Sequence, residues 1–149
     1  MVAHLKGTAI KTSIGGAGAE SFDRGETALR AADGESARLE AIAWHGRAAK
    51  LGYAPSQYRL ALLYAEDDSS SAAGRDALAW AERAADQGLP DAVFLKGLFV
   101  YHGVGQGRNR TEGVDLMLDA AERGHGEAQY VSGRRLLAEE WRPTKAMVQ

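Results

Sequence analysis

The sequence contains no cysteine, and this absence removes several classes of site. A chain without thiols forms no disulfide, no thiolate metal site and no cysteine nucleophile. Proline is rare, with three residues in 149, and the isoleucines are only Ile10, Ile14 and Ile42. Alanine and leucine are abundant by comparison, so helix propensity exceeds strand propensity along most of the chain. The composition therefore predicts an all-α fold.

Long apolar runs and an excess of charge are absent as well. No stretch approaches the roughly 18 apolar residues of a membrane span, and the N-terminal sequence lacks the apolar core of a secretory signal. The 18 Lys and Arg residues nearly balance the 20 Asp and Glu residues, which leaves no basic field for nucleic acid or an anionic membrane. We expect a cytoplasmic protein, or a periplasmic one if a signal peptide was removed, with neither nucleic acid nor a membrane as its partner.

Glycine is in excess, and an internal repeat accounts for much of it. The chain has 18 glycines in 149 residues, above the usual share of about 7%. An Ala-Ala-x-x-Gly pattern recurs at intervals of 36 residues, beginning at Ala48, Ala84 and Ala120. An aromatic position keeps the same register at Phe22, Tyr58, Phe94 and Tyr130. The register predicts repeats 17–52, 53–88 and 89–124 and a half repeat 125–149, preceded by a flexible segment 1–16.

Each block is predicted to contain two helices, called helix A and helix B in chain order. The glycine that ends the Ala-Ala-x-x-Gly pattern suits the left-handed position that closes a helix. Three other glycines fall inside the A helices, at Gly25, Gly97 and Gly133. A glycine inside a helix costs up to about 1 kcal/mol relative to alanine. We therefore expect these three positions to permit a close crossing of neighbouring helices.

These residues resemble the Sel1-like repeat, a relative of the tetratricopeptide repeat. The third block carries the helix A part of that pattern at Ala92, Gly97, Tyr101, Gly103 and Gly105. The second block carries the helix B part at Ala77, Trp80, Ala84, Ala85 and Gly88. The resemblance spans 17–138 and implies a right-handed α-solenoid of about three and a half repeats, with A helices lining the concave side. It also implies an adaptor or scaffold for other proteins, and we expect a bacterial one.

A stripe of side chains on the A helices is the candidate binding site. Tyr58, Leu62 and Ala65 lie at i, i+4 and i+7 and therefore share one helix face. The candidate protein-binding residues along this stripe are Tyr58, Leu62, Phe94, Leu98, Tyr101, Tyr130 and Arg134. Arg59, His102 and Arg135 border it. Aromatic side chains beside arginine suit a peptide or another protein's helix. The alternative is that these rings pack between neighbouring repeats.

The apparent chemical motifs predict no catalytic site, metal or cofactor. The sequence GVGQGRNR at 103–110 resembles a phosphate loop but follows a helix, so we interpret it as a turn, with Thr111 as the N-cap of the next helix. The four histidines lack metal-ligand spacing, and we expect them at the surface or in the groove. The acidic EDDSS stretch lacks the glycine and terminal glutamate of a calcium loop.

Together these patterns predict a non-enzymatic interaction module, an adaptor or regulator that binds a protein or peptide on its concave face. We expect a monomer or a weak homodimer. One alternative is a hydrolase acting on β-lactam or cell-wall substrates, because some Sel1-like proteins are linked to β-lactams. Those members typically carry a disulfide in each repeat, which this chain cannot form. The other alternative is a self-associating structural unit.

Overall fold

Six α-helices account for most of residues 2–67 and 71–130, the part of the chain that the computed structural model describes. They are α1 (Val2–Ala31), α2 (Glu35–Lys50), α3 (Ala54–Ala65), α4 (Ser71–Asp86), α5 (Pro90–His102) and α6 (Arg110–Glu122). Helical backbone resumes at 126–130. These ranges contain no β-strand, which confirms the all-α prediction. None of their helices is both long and apolar enough to cross a membrane.

The helices pack as consecutive pairs. Within a pair, α1 contacts α2, α3 contacts α4, and α5 contacts α6. Between pairs, α2 contacts α3 and α4 contacts α5, so each pair stacks on its neighbours in the chain. This arrangement is an all-α solenoid in which α1, α3 and α5 are the A helices and α2, α4 and α6 are the B helices. The repeat boundaries themselves stay a prediction.

The first helix is longer than the repeat register predicts. It begins at Val2 and includes residues 2–16, for which we predicted a flexible segment without repeat character. The sequence there contains no proline, the residue type that breaks a helix most strongly. The flexibility of residues 1–16 stays a prediction, because helical secondary structure and mobility are separate properties.

The glycines that close the B helices have the predicted left-handed conformation. Gly52, Gly88 and Gly124 have φ angles of 88°, 85° and 92°. After α2, the Tyr53 N–H donates to the Ala48 carbonyl at 3.1 Å and the Gly52 N–H donates to the Ala49 carbonyl at 3.0 Å. This hydrogen-bond pair is the Schellman arrangement, which satisfies the last carbonyls of a helix. The closing role of these glycines is confirmed.

Glycines inside the helices lie against atoms of the neighbouring helix. A Cβ added at Gly97 of α5 would lie 3.0 Å from the Gly113 carbonyl oxygen of α6. A Cβ added at Gly25 of α1 would lie 2.6 Å from Nε2 of His45 in α2. The same register in the second repeat holds Ala61, which has no exposed surface. The close-approach prediction is confirmed for Gly97. Gly25 instead makes room for the imidazole of His45. Gly133 lies outside the described residues.

The outward side of α1 differs from the interior A helices. Glu20 is exposed, while Ala92 in the same register of α5 has no exposed surface. Thr27 is exposed, while its equivalents Leu63 and Phe99 are 4% and 6% exposed and belong to apolar clusters between repeats. Polar side chains thus replace stacking side chains on α1. This substitution pattern is typical of a repeat at the end of a solenoid.

The glycine-rich sequence after α5 forms the predicted turn, but the next helix has a different N-cap. Gly103 and Gly105 have φ angles of 81° and 78°. The N-cap of α6 is Asn109, whose Oδ1 accepts the Glu112 N–H at 3.1 Å. The prediction of Thr111 as N-cap is therefore wrong. The helix begins earlier than predicted because the side-chain oxygen of Asn109 accepts the Glu112 N–H in the first turn. Thr111 therefore lies inside the helix.

Candidate protein-binding face

The candidate binding residues of α3 and α5 are partly buried rather than fully exposed. Tyr58 and Leu62 pack at the edge of an apolar cluster built from α3, α4 and α5. Leu98 and Tyr101 pack at the edge of a second cluster built from α5, α6 and the following helical stretch. Each of the four contacts the core on one side and keeps part of its surface in solvent. We call Tyr58, Leu62, Leu98 and Tyr101 the A-helix face.

Phe94 does not belong to this face, contrary to the sequence prediction. Only 5% of its surface is exposed. The ring stacks on the imidazole of His125, with ring centroids 4.6 Å apart and planes inclined by 23°. His125 precedes the helical stretch at 126–130, so it brings the next repeat over the Phe94 ring. Phe94 is a packing residue between repeats, which was the alternative interpretation of the aromatic stripe.

The last two candidate residues fall at the end of the described chain. Tyr130 is 64% exposed, the most exposed of the large apolar side chains in the described part. Arg134 lies outside the described residues, as does the predicted border residue Arg135. The structure therefore places four of the seven candidates on one pair of A helices, buries one and exposes one.

A bidentate ion pair joins the first two A helices. The Arg59 guanidinium of α3 donates to the Glu26 carboxylate of α1 through Nε at 2.6 Å and Nη2 at 2.8 Å. Both Glu26 oxygens are used, and the Glu26 side chain is only 18% exposed. Two parallel, charge-assisted hydrogen bonds fix the relative position of the two helices. Arg59, predicted to border the stripe, is thus held by a residue of the preceding repeat.

A histidine lies buried beneath this ion pair. His45 has no exposed surface, its Nδ1 lies 3.3 Å from the Ser56 hydroxyl, and its Nε2 lies 3.1 Å from Oε1 of Glu26. The Glu26 carboxylate is thus the polar group that faces Nε2. Burial lowers the pKa of His45, the Glu26 carboxylate opposes the shift, and the nearby Arg59 adds to it.

The sequence prediction that placed the histidines at the surface or in the groove is wrong for His45. Its register equivalents are Ala81 and Met117, which are buried at 0% and 3% exposure. The repeat register itself was therefore the signal that could have predicted its burial. Gly25 provides the space that the ring occupies, since a Cβ there would overlap it. His45 joins the first and second repeats rather than facing a ligand.

Charged groups lie near both tyrosines of the A-helix face. Burial raises the pKa of Tyr58, and the carboxylates of Asp91 and Glu127 raise it further, against an opposing effect of Arg59. Near the end of α5, Arg110 lies over the Tyr101 ring, with its Cζ 5.7 Å from the ring centroid. Sequence reasoning did not single out the two carboxylates, although they occupy the same register in successive repeats, because Pro55 stands at that position in the second repeat.

Two open grooves border the described helices. One, of about 540 Å³, lies between α4 and the turn after α5 and includes Tyr64, Gly74 and Gln106 in its lining. The other, of about 400 Å³, lies between α1 and α2, with Arg24 and Trp44 in its lining. The Arg24 guanidinium lies over the Trp44 ring at 4.8 Å. No group of three or more His, Asp or Glu side chains within residues 2–67 and 71–130 is arranged to hold a metal ion.

The geometry defines an α-solenoid of tandem helix pairs, a class whose extended surfaces typically bind other macromolecules. Two solved structures share this fold. One is c5321, a protective antigen of uropathogenic Escherichia coli strains displaying an SLR fold, at 27% identity and a TM-score of 0.69 over 91% of this chain. The other is a Sel1 repeat protein from Oxalobacter formigenes, at 26% identity and a TM-score of 0.64 over 94% of this chain.

The structure is similar to those of Sel1 repeat proteins, which confirms the resemblance that the sequence pattern indicated. It spans 28% of the length of the Escherichia coli protein and 98% of the length of the Oxalobacter protein. No protein-family model matches the sequence, and a comparison with curated proteins gives no match. The fold of these neighbours suggests a protein-interaction module.

Proposed function

We propose that the protein is a non-enzymatic adaptor or scaffold of the bacterial cytoplasm, a monomer or a weak homodimer, that binds a protein or peptide segment. The binding site is the A-helix face on the concave side of the solenoid. The observation that carries the proposal is the partial burial of Tyr58, Leu62, Leu98 and Tyr101 on two neighbouring A helices.

The partial burial suits binding better than full exposure does. A side chain held on one side by the core loses little conformational entropy when a partner covers its other side. Tyrosine is enriched at interface cores, where a few well-packed anchors supply most of the binding energy. Tyr58 and Leu62 are anchored by one apolar cluster, and Leu98 and Tyr101 by the next. The face therefore offers preorganised anchors on two repeats to a single extended or helical segment.

Two of the histidines, His45 and His125, are engaged in structural contacts, which argues against a hydrolytic role for them. His45 is sealed in the core, where no substrate reaches it. The Nδ1 of His125 accepts the Ala128 N–H at 3.0 Å and is thereby engaged in capping the next helix. A hydrolytic site requires a nucleophile or activated water with a base in reach, and neither histidine is free for that role.

The test is a selection from a random peptide library displayed on phage, with the intact protein as bait. Leu62→Asn with Leu98→Asn removes two apolar anchors from the face. Leu39→Asn is the matched control, because Leu39 is 56% exposed on α2, a B helix. Peptides enriched by the wild type are expected to bind the double variant at least about tenfold more weakly and the control equally well.

Circular dichroism and thermal unfolding of all three proteins show whether the substitutions leave the fold intact. Equal affinity of the selected peptides for the double variant and the wild type would contradict the proposal. A selection that enriches no peptide above the level of an unrelated helical protein would contradict it as well.

A further inference from the structure

A titratable side chain lies buried where the first helix pair, α1 and α2, meets α3. His45 of α2 has no exposed surface. Its Nε2 lies 3.1 Å from Oε1 of Glu26 in α1, and its Nδ1 lies 3.3 Å from the hydroxyl oxygen of Ser56 in α3. The Phe22 ring of α1 contacts the imidazole edge-on, with ring centroids 5.1 Å apart. We call this contact of α1 and α2 with α3 the first joint.

The charges at the first joint balance while His45 is neutral. From α1 the Glu26 carboxylate faces the imidazole. From α3 the Arg59 guanidinium contacts the same oxygen, Oε1, through Nε at 2.6 Å, and it contacts Oε2 through Nη2 at 2.8 Å. A proton on His45 would therefore add a second cation to a carboxylate that one cation already neutralises. Because no water reaches the imidazole, the net positive charge would destabilise the folded joint.

The first joint has a smaller apolar cluster than the second joint, where α3 and α4 meet α5. At the first joint, the buried apolar side chains that pack together are those of Ala28, Ala41 and Leu63. At the second joint, the corresponding side chains include Leu78, Leu95, Phe99 and Val100. Hydrophobic stabilisation grows with the apolar area that is buried. The first joint therefore depends more on the polar contacts around His45.

We propose that the first joint is an acid-sensitive switch, in which protonation of His45 releases α1 and α2 from α3 while α5 and α6 stay folded. Each repeat of a solenoid contacts only its neighbours, so one joint can open while the others stay closed. A released helix pair exposes its apolar face to water and loses helical structure. Acid thus unfolds one end of the protein first. This inference goes beyond the proposed function and does not depend on it.

The repeats supply a matched replacement for His45. Met117 occupies the same register in the third repeat and is 3% exposed. A Cβ added at Gly97 would lie 3.1 Å from Cγ of Met117, just as a Cβ added at Gly25 would meet the His45 ring. His45→Met therefore removes the titrating group and keeps a side chain that suits this position. His45→Gln covers the case in which His45→Met fails to fold. His102→Gln is the control, because His102 is exposed on α5.

The test is amide hydrogen exchange at about pH 7.5 and about pH 5, corrected at each pH for the intrinsic exchange rate. In the wild type, the protection of α2 and of residues 18–31 in α1 is expected to fall about three- to thirtyfold on acidification. One proton taken up on opening changes the opening equilibrium by up to about tenfold per pH unit below the ordinary histidine pKa of about 6.5. The amides of α5 and α6 exchange by opening at the other end of the solenoid, with His45 still buried, so their protection should be unchanged.

The His45→Met and His45→Gln proteins are expected to keep the protection of α1 and α2 at about pH 5, and the His102→Gln protein is expected to behave like the wild type. Three results would overturn the inference. In the first, α5 and α6 lose as much protection as α1 and α2, which would show that acid loosens the solenoid as one unit. In the second, the His45 variants lose as much protection as the wild type, or the wild type loses none. In the third, His102→Gln abolishes the effect. Peptide binding enters none of these results, so the proposed function is tested separately.

Discussion

Replacing Gly113 with alanine should destabilise the protein, although alanine is normally the better helix former. Gly113 lies inside α6, where it crosses α5. A Cβ at this position would lie 2.7 Å from Cβ of Tyr101, 2.8 Å from Cα of Tyr101 and 2.8 Å from the Gly97 carbonyl oxygen. Two of these three neighbours are backbone atoms, so no side-chain rotation relieves the overlap. The two helices have to move apart.

Two opposing effects determine how much Gly113→Ala changes the free energy of unfolding. Alanine in place of glycine inside a helix stabilises by about 0.5–1 kcal/mol. Forcing one extra methyl group into a well-packed crossing costs about 1–3 kcal/mol, and contacts with backbone atoms favour the upper part of that range. We therefore expect a net loss of about 1–2 kcal/mol in the free energy of unfolding. For a chain of this size, the midpoint of thermal unfolding should fall by about 2–8 °C.

Gly46→Ala is the matched control. Gly46 lies inside α2, and a Cβ there would meet no atom within 4 Å. Only the difference in helix propensity applies, so the free energy of unfolding of this variant should increase by about 0.5–1 kcal/mol. Urea and thermal unfolding, followed by far-ultraviolet circular dichroism, measure both variants against the wild type. A Gly113→Ala protein as stable as the Gly46→Ala protein would show that α5 and α6 do not cross at backbone contact.

Two further predictions concern the pH dependence of stability and the start of α6. Burial lowers the pKa of His45 below its ordinary value of 6.5. Below that pH the unfolded chain therefore binds more protons than the folded chain, and the free energy of unfolding should decrease as the pH falls from about 6.5. His45→Gln, unfolded in urea at about pH 7.5 and about pH 5, should lose less stability on acidification than the wild type, and an equal loss would contradict the assignment. Asn109→Ala removes the N-cap of α6 and should lower the free energy of unfolding by about 0.5–2 kcal/mol. Thermal unfolding of the variant and the wild type measures this loss. An unchanged midpoint would contradict the assignment of Asn109 as the N-cap.

The parts of the fold that local rules determine could be predicted from the sequence. A glycine at the end of each B helix has one favourable use, the left-handed closing position, and Gly52, Gly88 and Gly124 all adopt it. A glycine in the middle of a helix requires a compensating contact, and Gly25 and Gly97 have one. The repeat makes each inference stronger, because the same residue type occupies the same position in successive copies.

The binding residues were harder to predict, because helical spacing does not show which side chains the next repeat covers. Tyr58 and Phe94 share a register, yet Tyr58 is partly exposed and Phe94 is buried under His125. The covering residue belongs to the following block and is not repeated, since Leu89 and Tyr53 occupy the equivalent positions. The burial of His45 could have been inferred from its register, and the shared register of Asp91 and Glu127 was likewise a signal in the sequence.

The central claim is that a protein segment binds the A-helix face. Nuclear magnetic resonance spectra of the leucine methyl groups test it most directly. Leu62 and Leu98 lie on the face, while Leu39 and Leu51 are 56% and 48% exposed elsewhere. In protein with labelled leucine methyl groups, titration with a selected peptide should shift the Leu62 and Leu98 signals and leave the Leu39 and Leu51 signals in place. Shifts confined to Leu39 or Leu51, with Leu62 and Leu98 unchanged, would place the binding site on another surface and contradict the account.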